Sequence, residues 1–288
     1  MIEGRGERPA TWELVRRRLS ERLPSLVLGL LALLWLGPLI WTLLVAFVPT
    51  TQLLVGSPQT WLTNLHLGAF VDAWEVAPFP RLYVNTVIFV FGLLAIQIIT
   101  ISLAGFALAR MEFMGKGVIF LLFLTQLMVP ATILILPNYL TVIKLGWQNT
   151  FHGMMAPYFA SALGTFLMRQ AFKQVPQELV EAAQLDGASW WHILWHVFIP
   201  VTRPALIAFS IVSVTFHWNE FLWPLLVTTT ESVRPLTVGL ALLTQSSETG
   251  AQWDQLAAGT LMVAAPIIVL LALIQRQFTS GFLRSGLK

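Results

Sequence analysis

Glu220 is the single acid within a long apolar stretch of this chain, in "TFHWNEFLWPLL" at 215–226. A carboxylate at mid-membrane depth costs about 2.5–3.5 kcal/mol on insertion-derived scales, so such a residue is expected to face a cavity or a partner. Its neighbours suit a polar solute: His217 and Asn219 can hydrogen-bond a hydroxyl, and Trp218 offers a flat face. Structural roles compete with this path. Glu220 can bond a neighbouring helix, or lie at an interface among the adjacent tryptophans. His217 and Glu220 stand three apart, but no third ligand is near them, so no metal site is expected. Gln97 and Gln126 are isolated polar residues in other apolar stretches, where helix–helix hydrogen bonding is the expected use.

A second polar group, "ELVEAAQLDGASWWHILWHVFIP" at 178–200, separates two apolar stretches and is too polar to cross a bilayer. Pro176 suits a first helical position, where its missing N–H has no partner to lose. A helix is expected through "QELVEAAQLD", with Glu178 and Glu181 towards its positive end, and a left-handed stop at Gly187. Ser189 can cap a second helix, "WWHILWHVF", which Pro200 should end. Val175, Leu179, Ala182 and Ala183 are expected on one face of the first helix. The result would be a compact knob. Its acidic helix argues for a protein socket rather than a lipid surface, where basic residues are usual.

The elements that must hold these groups are membrane spans. Only 11% of the 288 residues are charged, against about 25% in an ordinary soluble domain, and mean hydropathy is +0.74. The absence of cysteine excludes disulfides and thiolate chemistry. Six segments reach the roughly 20 apolar residues of a span: 25–47, 84–109, 118–137, 151–170, 204–227 and 256–275. Pro38, Pro130, Pro157, Pro224 and Pro266 fall within them and are expected as tolerated kinks. Ala156, Ala160 and Gly164 would form a small-residue packing stripe. The apolar run from Ser25 is too long for a cleavable signal, so it reads as a retained span.

With the N-terminus inside, 14 of the 17 Lys and Arg residues fall on the cytoplasmic side and only Arg81, Lys144 and Arg234 outside. That bias puts both termini and the loop 171–203 in the cytoplasm.

The loop also carries a resemblance. Permease subunits of bacterial ATP-binding-cassette importers have a cytoplasmic loop of the form E-A-A, three residues, G, nine residues, I, one residue, L-P. This chain has Glu181-Ala182-Ala183, then Gly187, then Val197, Phe198, Ile199 and Pro200 at the same spacings. "EAAQLDGAS" at 181–189 and "WNEFLWPLL" at 218–226 resemble the carbohydrate-uptake branch, in its maltose- and glycerol-phosphate-type permeases. The likeness runs from about residue 25 to "QRQF" at 275–278.

It implies an all-α, type I importer permease fold of six transmembrane helices. A cytoplasmic tail (1–24) and a second one (279–288) would flank the permease domain (25–278). It implies a coupling loop seated in a groove of an ATPase, with Glu181 and Gly187 central and Ala182, Ala183 and Asp186 around them. The implied partners are a homologous second permease, two ATPase subunits that hold ATP and magnesium, an extracytoplasmic solute-binding protein and the lipid of a bacterial inner membrane, with no nucleic acid. In such an importer Trp218 would stack on a sugar ring.

The chain has no G-x-x-x-x-G-K-[ST] phosphate loop, so no ATP hydrolysis is expected of it. A neutral sugar is favoured over glycerol 3-phosphate or a phosphodiester, because the spans contain almost no basic residues. A proton-coupled transporter with Glu220 as relay is weaker, since no inverted repeat is visible. An intramembrane enzyme is weaker still.

The absence of native cysteine makes the topology easy to test. A cysteine introduced by Ser189→Cys should react with an impermeant thiol reagent only from the cytoplasmic side of the membrane. Labelling from outside intact cells would reverse the whole orientation.

Overall fold

The computed structural model of the chain describes residues 11–243 and 252–285. The tail residues 1–10 and 286–288, with Arg5, Arg8 and Lys288 of the charge count, lie outside the described residues. All regular structure among the described residues is helical. The chain divides into two units, one formed by the residues up to Asp72 with Gln252–Leu261, the other by Ala73 onward and the residues from Met262.

In the first unit, α1 (Thr11–Phe47) carries Pro24 and Pro38 within an unbroken helix. Its leucines and tryptophans from Leu23 to Trp41 are exposed, as a lipid-facing segment requires. Short helices α2 (Thr50–Val55) and α3 (Pro58–Thr63) follow, and α4 (Gly68–Val76) leads out of the unit. Asp254, near the start of the last helix, accepts hydrogen bonds from the Thr50 amide (3.2 Å) and hydroxyl (2.6 Å). One carboxylate thus satisfies an orphan donor at the start of α2.

The second unit is organised by α5 (Phe79–Arg110). Its 32 residues extend about 48 Å at 1.5 Å per residue, well beyond the roughly 30 Å of a hydrocarbon core. The other helices are α6 (Lys116–Met128), α7 (Ala131–Lys144), α8 (Phe151–Met155), α9 (Ala162–Lys173), α10 (Gln177–Leu185), α11 (Trp190–Ile193), α12 (Ile199–Val201), α13 (Arg203–Trp218), α14 (Leu222–Val227), α15 (Leu236–Leu243) and, from Met262 onward, α16 (Trp253–Ser285).

The expected spans differ from this in a consistent way. Among the described residues three helices are continuous and apolar enough to cross a membrane: 22–47, 79–110 and 253–273. The segment 118–137 is not one helix. It bends by 104° between α6 and α7, because Val129 and Pro130 are extended, with ψ of 120° and 129°. A residue before proline avoids the helical region, so Pro130 starts a helix here instead of kinking one.

The segment 151–170 breaks as well. A 3-10 turn at Ala156–Tyr158 contains Pro157, and Ser161 caps α9 by accepting the Gly164 amide at 3.1 Å. Ala156, Ala160 and Gly164 therefore do not form one helical stripe. The segment 204–227 ends its first helix at Trp218 and restarts at Leu222.

A break frees carbonyls that lipid cannot satisfy, and in 151–170 and 204–227 polar side chains supply partners. Gln97 Nε2 donates to Tyr158 O (2.8 Å) and Thr100 Oγ1 to Phe159 O (2.7 Å). Ser213 Oγ donates to Gln97 Oε1 at 2.5 Å, and Thr237 Oγ1 donates to Glu220 O at 2.6 Å. Gln97 thus plays the helix-bonding role expected of it.

α9 lies against α5 through small residues. A Cβ on Gly105 would meet Met168 Cβ at 2.8 Å and the Arg169 backbone nitrogen at 3.1 Å; one on Gly164 would meet Ile101 and Phe209, both at 2.7 Å. Such overpacking costs about 1–3 kcal/mol when neighbours cannot move. Gly105→Val should therefore lower the thermal-unfolding midpoint of the detergent-solubilised chain. Gly117→Val, with nothing within 4 Å, meets no neighbour, and valine's helix propensity is no worse than glycine's, so it should leave the midpoint nearly unchanged. Equal losses in the two variants would overturn the close-approach account.

Candidate functional site

The loop 171–203 folds into a knob at the end of α9. Pro176 is the residue before α10 rather than its first residue: its ψ of 138° is extended and Gln177 starts the helix. α10 ends in a paired closure around a left-handed glycine. Gly187 has φ +77°, its amide bonds Gln184 O (2.9 Å), and the Ala188 amide bonds Ala183 O (3.0 Å). These are the two bonds of a Schellman stop, which glycine adopts without steric cost. Nothing lies within 4 Å of a Cβ built on Gly187, so φ, not space, selects glycine. A β-branched residue there would carry about 1–3 kcal/mol of backbone strain.

Ser189 then caps α11, accepting the His192 amide at 3.3 Å. Pro200 does not end this helix, as its type had suggested. The chain widens into a π turn over Leu194–Phe198 and continues through α12 to Val201. The wider turn directly precedes Pro200, whose ring and missing N–H are incompatible with a regular α-helical turn.

The inner face of the knob is a tight core. Phe172, Val175, Val180, Ile193, Leu194 and Phe198 are buried together with Phe106 of α5. Phe106, Phe172 and Phe198 meet edge to face at centroid distances of 5.1–6.2 Å. Arg110, the last residue of α5, closes the core. It donates to Phe172 O through Nε and Nη2 (3.2 and 2.8 Å), to Val175 O, and to Gln177 Oε1 through Nη1 (3.1 Å). Its guanidinium also lies 5.1 Å from the centre of the Phe198 ring. One side chain therefore joins α5, the end of α9, the start of α10 and the π turn. Sequence reasoning counted Arg110 only as a topogenic charge. A basic residue at a helix end beside a polar loop was the available signal.

The face expected for docking is corrected in part. Val175 belongs to the core, and Ala183 packs inward against it. Glu178, Leu179, Glu181, Ala182, Leu185 and Asp186 are exposed. Glu181 and Asp186 make no side-chain hydrogen bond or ion pair among the described residues. Leu185 is 89% exposed and Trp191 62% exposed. The knob thus turns an acidic surface with isolated apolar residues away from its own core.

The four solute-path residues separate. Trp218 is buried and its indole N–H donates to Val263 O at 3.1 Å, so its face serves the core and is closed to a solute. Asn219 is exposed and its side chain donates to Thr215 O at 2.7 Å. Glu220 is partly buried at the break between α13 and α14. His217 is buried, with its ring 4.7 Å from that of Tyr158, and it alone of the four lines a cavity with residues of α5, α6, α7, α9 and α13. Gln126, expected to bond a helix, is on the same cavity and its side chain makes no hydrogen bond among the described residues.

Comparison with known proteins matches this architecture. Residues 100–281 match the family described as the inner membrane component of binding-protein-dependent transport systems. The chain is 29% identical over 266 residues to the sn-glycerol-3-phosphate transport system permease protein UgpE of Yersinia enterocolitica, covering 90% of this chain and 94% of that protein. It is 32% identical over 257 residues to the arabinooligosaccharides transport system permease protein AraQ of Halalkalibacterium halodurans, covering 87% and 90%. The fold is similar to a crystal structure of a bacterial ABC transporter that imports the acidic polysaccharide alginate, with TM-score 0.79, 22% identity and coverage of 96% of this chain and 99% of that one. The chain belongs to the binding-protein-dependent transport system inner membrane component family, and is a multi-pass permease with the type I fold.

Proposed function

We propose that the chain is the transmembrane permease subunit of an ATP-driven sugar importer in a bacterial inner membrane, and that residues 171–203 couple it to a separate ATPase. The observation that carries this is the knob: a two-helix body whose inner face is packed into a core and whose outer face presents carboxylates with no partner among the described residues. Family membership and the carbohydrate-uptake relatives support the importer assignment.

In this proposal the membrane is crossed six times with both termini in the cytoplasm. The bent pair α6–α7 and the broken pairs α8–α9 and α13–α14 each count as one crossing. The permease domain covers 25–278 between tails 1–24 and 279–288. A second, homologous permease completes the path, an extracytoplasmic binding protein delivers solute, and two ATPase subunits hold ATP and magnesium. Glu181 contacts the ATPase groove, Ala182 allows close seating beside it, and Asp186 and Gly187 set the angle of the knob. Arg110 then passes motion of the knob to α5.

Two substitutions separate this from a structural role for the same residues. Loss of a helix-end charge alone is worth about 0.3–1 kcal/mol, so Glu181→Gln would then transport nearly normally. As a docking contact, its loss should weaken ATPase association or lower uptake per ATP hydrolysed by about tenfold, the equivalent of about 1.4 kcal/mol. Arg110→Ala should keep the ATPase bound and yet lower coupling, because the knob is no longer fixed to α5. Solute-stimulated ATPase activity and uptake, both in reconstituted vesicles, provide the measurement. Near-normal values for Glu181→Gln with the ATPase still bound would remove its coupling role.

A further inference from the structure

The second short helix of the knob carries two histidines that neither its core nor its acidic face uses. His192 lies in α11 and His196 in the π turn that follows. Residues four apart on a helix are surface neighbours, and here the contact is close. The two imidazole rings stack at a centroid distance of 3.9 Å with 11° between their planes. Both histidines are exposed, whereas Ile193, Leu194 and Phe198 of the same stretch fill the core.

One hydrogen bond fixes the chemistry of the pair. His196 Nδ1 lies 3.1 Å from His192 O. A carbonyl oxygen only accepts, so Nδ1 carries the proton and the neutral ring keeps its lone pair on Nε2. Donation of one ring nitrogen to a backbone carbonyl is the arrangement that orients a metal-ligating histidine and makes its other nitrogen more basic. The His192 side chain makes no hydrogen bond or ion pair among the described residues, so its ring is free to turn either nitrogen towards a shared ion.

We propose that His192 and His196 chelate a divalent transition-metal ion of the zinc and nickel class, with water in its remaining positions. Metal–nitrogen bonds of about 2.0–2.1 Å at tetrahedral angles set two ligand nitrogens about 3.3 Å apart. Rings already stacked at 3.9 Å reach that separation by a small tilt of their edges. Imidazole nitrogen suits zinc, nickel and copper, whereas magnesium and calcium take oxygen ligands. No cluster of three or more His, Cys, Asp or Glu side chains placed to hold a metal occurs among the described residues. A structural zinc site closes with four protein ligands, so two histidines make an open site whose ion exchanges, suited to a reversible effector. A bound ion would tie α11 to the π turn and place two positive charges on a knob whose first helix exposes Glu178 and Glu181. The site goes beyond the importer assignment and stands whether or not the knob meets an ATPase.

Calorimetric titration of zinc or nickel chloride into the full chain in detergent, purified without a histidine tag, tests the site. One equivalent should bind with micromolar affinity, and magnesium and calcium should not compete for it. His192→Ala should weaken that equivalent at least tenfold, a change of about 1.4 kcal/mol. His196→Asn separates ligation from structure, because its amide N–H can keep the bond to His192 O while nothing replaces Nε2. It should lose the metal to the same degree and leave the thermal-unfolding midpoint unchanged. Binding that survives either substitution, binding only at millimolar metal, or displacement by magnesium would each overturn the site and leave the stacked rings as a surface contact. If His196→Asn does not fold, His192→Ala decides alone, since that side chain has no hydrogen bond to lose among the described residues.

Discussion

Everything the knob can do depends on one guanidinium. Without Arg110, no side chain of α5 would hydrogen-bond the end of α9 or the start of α10, and the two short helices would be tied to α5 only by apolar contact. Helix C-termini attract cations because their carbonyls are unpaired and carry the negative end of the dipole. Arg110 uses that attraction twice over, donating to Phe172 O and Val175 O and reaching Gln177 at the start of α10. Its five N–H donors in a fixed plane allow this, and its face still packs on Phe198. A lysine has the charge without the fork. The result is a rigid joint between a 32-residue helix and a body outside the apolar spans.

The same helix solves the opposite problem within the apolar region. Broken spans expose backbone groups, and the bilayer interior offers none in return. α5 answers with buried side chains at successive heights: Asn85 donates to Glu231 O and Arg234 O, Thr86 accepts the Leu236 amide, and Gln97 and Thr100 take the carbonyls of the 3-10 turn. The turn at Ala156–Tyr158 and the loop before α15 are thus stabilised on α5, whereas the break between α13 and α14 is held by Thr237 of α15.

What could be read from sequence follows from how local each cause is. The stop at Gly187 and the cap at Ser189 were legible, because a Schellman closure and a capping hydroxyl are set by residues a few positions apart. The apolar spans 25–47, 84–109 and 256–275 were legible within a few residues, as hydropathy alone decides them. The breaks in the others were not. Both halves of 118–137 are apolar, so a window sees one span, and only the partners in the tertiary structure separate a kinked helix from a broken one. Pro130 and Pro200 show the two outcomes: one starts a helix after a sharp bend, and the other is absorbed by a π turn. Trp218 was misplaced for a related reason. Its composition fits a sugar platform, but its indole donor is taken by Val263 O, 45 residues away.

The joint and the cavity are connected by continuous packing. Phe198 and Phe172 touch in the knob core, and Met168, one turn before Phe172 on α9, is fully buried beside Gly105 of α5. Phe209 of α13 belongs to the same core, presses against Gly164, and lines the cavity. Close-packed interiors resist compression and pass displacement to their neighbours. A tilt of the knob about Arg110 is thus resisted at Gly105 and Gly164, where not even a methyl group fits, and must move α9 and α13 as bodies. α6 is part of the same packing: the Phe120 ring stacks on that of Phe166 of α9 at 6.3 Å and lies 3.7 Å from the Arg169 guanidinium, so a displacement of α9 carries α6 with it.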